Sequence, residues 1–261
     1  MKNLTAIYED MALIAHNKEF MPTGFHRLDD FLDGGFMRKE LVVLGGFTGS
    51  GKSFLAGQIF FNIAKEGFKS AYLSLEISNE MVVSRLVGQF SNVKPTRIMC
   101  GMLNPDENNA KIQAKARIAP FEDSMIFSDE IYKLTEVEDV INNNGLDFVV
   151  IDFIQNLITN GKDEYSSMTR ASLELQKIAK KYNCCIMVLS QLSNGAAKNG
   201  NLEYKGSGGI AMVADLGFFI VRDDSQKELI NLQLKKNRRG ISGAIFELYF
   251  KSPGGMISEK H

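Results

Sequence analysis

The sequence is poor in cysteine: 261 residues contain only Cys100, Cys184 and Cys185. The number is odd, two are adjacent, and none forms a C-x-x-C pair. This argues against a disulfide framework or a zinc site and fits a reducing compartment. The thiols read as small buried hydrophobes. Charge of one sign is also lacking. Lys plus Arg is 30 against 31 for Asp plus Glu, a net charge of −1. A uniformly basic nucleic-acid coat is excluded, whereas a local basic stripe is not. Long hydrophobic runs are missing too. The longest nearly apolar stretch, 208–221, is interrupted by Asp215. It falls short of the roughly 20 residues a membrane helix needs. Glu9 and Asp10 sit inside the apolar pattern of the amino terminus, so no signal peptide is expected. What remains is an ordinary balance of 44% hydrophobic and 23% charged residues. It suits one soluble cytoplasmic α/β domain with no membrane partner.

Leu4, Ile7, Tyr8, Met11 and Ile14 recur at helical spacing, which predicts an amphipathic helix within residues 1–20. Its stripe either packs on its own domain or docks on a neighbouring subunit. After a turn-rich stretch, strands and helices alternate. Strands are expected at 41–45, 71–75, 124–127, 148–153 and 185–190. Helices are expected at 53–67, 79–90, 111–118, 134–143 and 168–182. This alternation predicts a mostly parallel central sheet with helices on both faces. Three further strands, 217–221, 229–234 and 245–250, leave little room for helices between them. Two of these are joined at Lys236-Asn237-Arg238-Arg239-Gly240 into an antiparallel hairpin.

Gly46-Phe47-Thr48-Gly49-Ser50-Gly51-Lys52-Ser53 matches the P-loop pattern G-x-x-x-x-G-K-[ST]. Glycines let backbone N–H groups turn around phosphates, and the following helix aims its positive end at them. Lys52 reaches the β and γ phosphates, and the Ser53 hydroxyl holds Mg²⁺. A buried strand runs in and a helix striped by Leu55, Ile59 and Ile63 runs out, as the motif demands. Phe148-Val149-Val150-Ile151-Asp152 is an apolar strand ending in a carboxylate, suited to the Mg²⁺ shell. Phe153, not Glu, follows it. Glu76, at the end of the strand after the P-loop helix, is then the expected catalytic base; alternatively it caps the helix starting near Ser78. Gln191 ends another strand on the same rim, where an amide can bond the γ phosphate.

These residues resemble the RecA-like motor domain of the DnaB-type replicative helicases over 21–251. The specific elements are Leu75-Glu76-Ile77-Ser78 with Arg85-Leu86, Val150-Ile151-Asp152-Phe153-Ile154-Gln155, Leu189-Ser190-Gln191-Leu192 and the Lys236–Gly240 hairpin. Thr23-Gly24-Phe25, Leu28-Asp29 and Gly34-Gly35 look like that family's leading segment. The resemblance implies a RecA-like P-loop NTPase at 21–261 preceded by a linker-type helix at 1–20. It implies ATP and Mg²⁺ as ligands. Gly46, Thr48, Gly49, Ser50, Gly51, Lys52, Ser53 and Phe54 would hold the nucleotide, and Ser53 and Asp152 the metal. Glu76 would be the base and Gln191 the γ-phosphate sensor. Lys236 and Arg238 would reach the adjacent subunit's nucleotide, although the same tip read alone is a solvated basic turn.

The resemblance further implies a hexameric ring that translocates on single-stranded DNA and unwinds forked duplex. Lys198, Lys205, Ser207 and Gly208 are the candidate DNA-loop residues, gripping the backbone without regard to sequence. Primase or a helicase loader is the expected protein partner. Three departures are visible. What precedes the motor has only the length of the family's linker helix, which counts against primase recruitment. Gly209-Ile210-Ala211-Met212-Val213 stands where the family has an acid and an amide. Gly206 follows Lys205 where the family tends to have Glu. The short form suggests a phage, plasmid or other mobile replicon, in a bacterial cytosol or a phage-infected cell. Two other readings fit the P-loop: a RecA-like ATPase of the KaiC or RadA type, or a ring-forming nucleotide-binding assembly factor without unwinding activity.

Overall fold

The structure, a computed structural model, describes residues 3–5, 7, 19–158, 164–191, 208–222, 226 and 228–260. Most of the helix expected within 1–20 and the loop residues Lys198, Lys205 and Ser207 lie outside the described residues. In chain order the elements are β1 (Phe20–Met21), α1 (His26–Phe31), β2 (Phe36–Met37), β3 (Leu41–Gly46), α2 (Lys52–Lys65), β4 (Ser70–Ser74), α3 (Asn79–Ser91), α4 (Pro95–Met99), α5 (Pro105–Ile118), β5 (Met125–Ser128), α6 (Leu134–Asn144), β6 (Phe148–Asp152), α7 (Glu164–Tyr182), β7 (Cys185–Gln191), α8 (Gly208–Val213), β8 (Leu216–Arg222), β9 (Leu229–Asn237), β10 (Ile245–Lys251) and β11 (Met256–Glu259).

Among the described residues nine strands form one sheet in the order β11-β10-β9-β8-β3-β7-β6-β4-β5. From β8 to β5 neighbouring strands run parallel. From β8 outward through β9, β10 and β11 they run antiparallel. The inner parallel strands β3, β4, β6 and β7 are largely apolar and buried because both of their faces are covered. Successive side chains point to opposite faces, and two cores result. On one face Val42, Leu44, Tyr72, Val150, Met187 and Leu189 pack with Leu55, Ile59 and Ile63 of α2. On the other, Leu41, Val43, Leu73, Ile151 and Val188 pack with Val137 and Ile141 of α6 and Leu175 and Ile178 of α7.

The stretch 208–221 is divided rather than continuous: α8 ends at Val213 and β8 begins at Leu216. The antiparallel part is larger than a hairpin, because β11 adds an edge strand. There Gln58 of α2 bonds Ile257 twice, donating to its carbonyl at 2.6 Å and accepting from its N–H at 2.9 Å. In β9, Leu229, Ile230, Leu232 and Leu234 are buried. Helix α5 starts six residues before the expected 111. Asn104 and Glu107 form a reciprocal capping box ahead of a polar first turn. Among the described residues no helix is long and apolar enough to cross a membrane.

Candidate nucleotide site

The P-loop lies at the carboxyl end of β3, the central parallel strand. Gly49 and Gly51 have φ of +77° and +102°, a left-handed backbone that glycine adopts without a Cβ penalty. At Gly46 the demand is space, since an added Cβ would run into Ile220 and Ser50. The loop leads directly into α2, so the helix's unpaired N–H groups face the cleft.

Lys52 is buried, and its Nζ donates to the carbonyls of Gly46 (2.7 Å) and Phe47 (2.9 Å). The lysine therefore folds back over its own loop. Burial pushes its pKa down to about 8, against the pull of the Asp152 and Glu76 carboxylates.

Asp152 is the last residue of β6 and pairs in register with Ser74 of β4. Its Oδ2 accepts from the Tyr72 hydroxyl at 2.6 Å. Its Oδ1 is buried and has no hydrogen bond from any described residue. Burial raises the Asp152 pKa; the Tyr72 and Ser53 hydroxyls and the charge of Arg85 oppose that rise. Burial and the neighbouring carboxylate together push the Tyr72 phenol well above its ordinary range.

Thr48, Gly49, Gly51, Lys52, Ser53 and Phe54 line a cleft of about 410 Å³, together with Glu76, Phe153 and Gln191. Glu76 lies two residues beyond β4 and is exposed to the cleft. It does not cap α3: the Asn79 N–H is taken by Asp129 Oδ2 at 2.9 Å. Gln191 closes β7 in register with Gly46. Parallel pairing therefore brings the ends of four strands to one rim, where ligands of open α/β sheets bind. Ser190, just before Gln191, accepts from Gln155 Nε2 at 3.1 Å.

Five cleft residues were missing from the sequence-based site: Ile77, Arg85, Phe153, Arg222 and Phe250. Arg85 of α3 lies over the Phe54 ring at 5.3 Å. Its signal was present, since it falls inside the Glu76 motif. Arg222 of β8 lies 4.4 Å from the ring centroid of Phe250 of β10, and both line the cleft. Burial lowers the Arg222 pKa, and its Nε has no hydrogen-bond partner among the described residues. Sequence spacing carries no signal for this pair, because strand pairing alone unites it.

Lys236 and Arg238 lie elsewhere. Antiparallel pairing sets Ile230 beside Arg222 and Lys236 beside Gly217. The five residue steps from Gly217 to Arg222 span roughly 17 Å of strand. Both cations therefore sit at the rim opposite their own chain's P-loop. Lys236 Nζ donates to the Met212 carbonyl at 2.6 Å. Arg238 donates to that carbonyl at 3.0 Å and to Asp215 Oδ1 at 2.8 Å. Gly208, the one DNA-loop candidate among the described residues, opens α8.

The donor set fits a magnesium ion. Among the described residues no cluster of three or more His, Cys, Asp or Glu side chains exists. Magnesium needs none, for it keeps waters and takes one or two carboxylates plus substrate phosphates. The Asp152 carboxylate, whose Oδ1 has no hydrogen bond from any described residue and which has the Ser53 hydroxyl beside it, meets that need.

The family model for the DnaB-like helicase C terminal domain matches residues 21–254. The replicative DNA helicase DnaB of Treponema pallidum (strain Nichols) is 29% identical over 242 residues, covering 88% of this chain and 54% of that protein. The replicative DNA helicase DnaC of Bacillus subtilis (strain 168) is 26% identical over 252 residues, covering 88% of this chain and 55% of that protein. The chain spans about half the length of the curated relatives it matches. A DnaB-like replicative helicase, solved in a study of its interactions with primase, superposes with a TM-score of 0.84 at 20% identity. That match covers 99% of this chain and 66% of the other. A separately solved ATPase domain superposes with a TM-score of 0.86, also at 20% identity, covering 99% of this chain and 97% of that one. These likenesses show the RecA-like ATPase fold.

Proposed function

The chain belongs to the DnaB-like helicase C-terminal domain family, and on that premise we propose that it is the ATP-hydrolysing motor of a replicative DNA helicase. Residues 21–261 are the motor. Copies assemble into a ring, with each nucleotide held between two of them and single-stranded DNA in the central channel. It acts in the cytosol of a bacterium or a phage-infected cell, with primase or a loader as further partners. The observation that carries this reading is the opposed placement of the catalytic groups. Lys52, Ser53, Glu76, Asp152 and Gln191 gather at one rim, while Lys236 and Arg238 stand at the other. A second copy is the simplest way to bring the two sets together.

In this reading the P-loop amides and Lys52 hold the β and γ phosphates. Ser53 and Asp152 would hold Mg²⁺, which would supply positive charge beside the phosphate oxygens. Glu76 orients a water and takes its proton as the water oxygen bonds to the γ phosphorus and the bond to the β-phosphate oxygen breaks. Gln191 touches the γ phosphate. Arg238, supplied in trans, stabilises charge in the transition state, an effect worth about 10³ to 10⁵ in rate. The base of the nucleotide rests near the Arg222–Phe250 pair.

The test is ATP hydrolysis with and without single-stranded DNA, alongside strand displacement from a forked duplex. Stimulated hydrolysis and displacement are expected, with assembly seen by light scattering. A chain that remains monomeric with every nucleotide, yet hydrolyses ATP at full rate, overturns the reading.

A further inference from the structure

Arg238 and Arg239 are adjacent at the hairpin tip, yet their surroundings differ. The Arg238 side chain is 45% exposed, and its two partners, Asp215 and the Met212 carbonyl, lie at the surface end of β8 and α8. Such half-exposed ion pairs contribute little and exchange readily. The Arg239 side chain is 20% exposed, and both terminal nitrogens of its fork donate hydrogen bonds. Nη1 donates to the Leu32 carbonyl at 2.9 Å, and Nη2 to the Gly35 carbonyl at 2.8 Å. Nε lies 3.0 Å from Glu40 Oε1, and that carboxyl group is only 10% exposed.

All three partners belong to the segment 32–40, which is itself rigid. The other Glu40 oxygen accepts from the Met37 N–H at 2.9 Å. β2 pairs with β1, Phe20 with Met37 and Met21 with Phe36. Gly35, at φ +111°, lies so close to Met21 that a Cβ would run into that residue's backbone. The guanidinium lies 5.9 Å from the Phe20 ring centroid. A planar fork held by two hydrogen bonds and a close carboxylate defines both position and orientation, which a flexible ammonium does not. The basic turn is therefore not uniformly solvated: one arginine is fastened and its neighbour is free to exchange partners.

We propose that Arg239 is a positioning residue, which fastens the hairpin tip to the Leu32–Glu40 segment of its own chain and so sets where Arg238 is presented to the next copy. This rests on the reading of Arg238 as a residue acting in trans. Arg239 touches no nucleotide. A loosened tip displaces Arg238, and misplacement of a catalytic group by about 1 Å costs on the order of 100-fold in rate.

The experiment uses the full chain and its Arg238→Ala, Arg239→Ala and Glu40→Gln variants, each also mixed with Lys52→Ala. For Arg239→Ala, kcat is expected to fall by about 10- to 100-fold, with KM for ATP within about twofold of the parent. Mixing with Lys52→Ala is expected to restore turnover, as it does for Arg238→Ala. The mixed boundary joins an intact P-loop to an intact hairpin. Glu40→Gln loosens the same clamp from the other side and gives the same pattern, which covers the case of an Arg239 variant that fails to fold. Parental kcat in both Arg239→Ala and Glu40→Gln overturns the proposal. So does recovery for Arg238→Ala without recovery for the clamp variants, which would assign the clamp to its own subunit's folding. No loss in Arg238→Ala, or no recovery in any mixture, overturns the trans reading itself and the clamp proposal with it.

Discussion

The Tyr72 hydroxyl holds one oxygen of Asp152 at 2.6 Å and leaves the other, Oδ1, buried without a hydrogen bond from any described residue. One oxygen of the carboxylate is thus held by the protein, and the other keeps an unused acceptor among the described residues. The two residues come from adjacent parallel strands, with Tyr72 paired to Val150, two residues before Asp152.

That relationship sets a stability prediction. Burial holds the Asp152 pKa above the ordinary carboxylate value. The folded state therefore keeps its proton to higher pH than the unfolded chain does. Stability falls as pH rises from the unfolded value, about 3.9, through the raised folded one, and the penalty persists above it. Asp152→Asn removes the penalty and keeps an acceptor for Tyr72. In magnesium-free buffer at pH 7 it is expected to raise stability by about 0.5–2 kcal/mol. The gain should vanish near pH 3, and turnover should be lost at every pH. Thermal melts at both pH values check this; an unchanged or lower Tm at pH 7 contradicts it.

Lys52 gives a prediction about binding. With its pKa near 8 in the free protein, the ammonium is partly deprotonated at that pH. Phosphates beside it favour the charged form. Nucleotide binding at pH 8 should therefore take up roughly half a proton at this group, and at pH 6.5 almost none. Affinity should weaken as pH rises past 8. Calorimetry in buffers of differing ionisation enthalpy reads the uptake directly. A proton count that does not change between the two pH values rules the assignment out.

For Glu76 the expected signature separates binding from chemistry. The side chain lies in the cleft and caps no helix, so Glu76→Gln should leave the fold and ATP affinity near the parental values. Hydrolysis should fall by about 10²- to 10⁴-fold. Filter retention of labelled ATP beside a phosphate-release assay distinguishes the two. Normal release by the variant would assign the base elsewhere.

Part of this site was legible because Asp152 and Gln191 stand at the ends of apolar runs. A strand buried on both faces carries its carboxylate or amide side chain at the sheet rim. The P-loop is legible for a different reason, since its spacing follows phosphate geometry. Tyr72, Arg222 and Phe250 were not legible. Their roles depend on which strand neighbours which, and the antiparallel register of β8, β9 and β10 is not written locally. The short elements α1, α4, β1, β2 and β11 escaped for a related reason: they are held by tertiary partners, as Gln58 holds Ile257. Asp215 was visible only as an interruption that argued against a membrane span. Its part in tying the rim together became evident from the structure.

Asp215 joins three elements at the rim opposite the P-loop. Its Oδ2 accepts from the buried Leu41 N–H at 2.9 Å, and its own N–H donates to the Leu41 carbonyl at 2.9 Å. Gln176 of α7 bonds the same carboxylate at 3.3 Å, and Arg238 pairs with Oδ1 at 2.8 Å. Removing the carboxylate strands a strand-end N–H in the core, which costs about 1–3 kcal/mol, and hydrogen bonds to the charged group are lost as well. Asp215→Ala is therefore expected to lower Tm by roughly 5–10 °C, at about 2–4 °C per kcal/mol for a chain of this size. Asp215→Asn keeps one acceptor and should lose less. Arg238→Ala breaks only the half-exposed ion pair and should melt within about 2 °C of the parent. The ordering is the test, because it separates the backbone anchor from the ion pair. An Arg238→Ala variant that melts as low as Asp215→Ala would mean that Arg238 is bound into the fold and not available to a neighbouring copy.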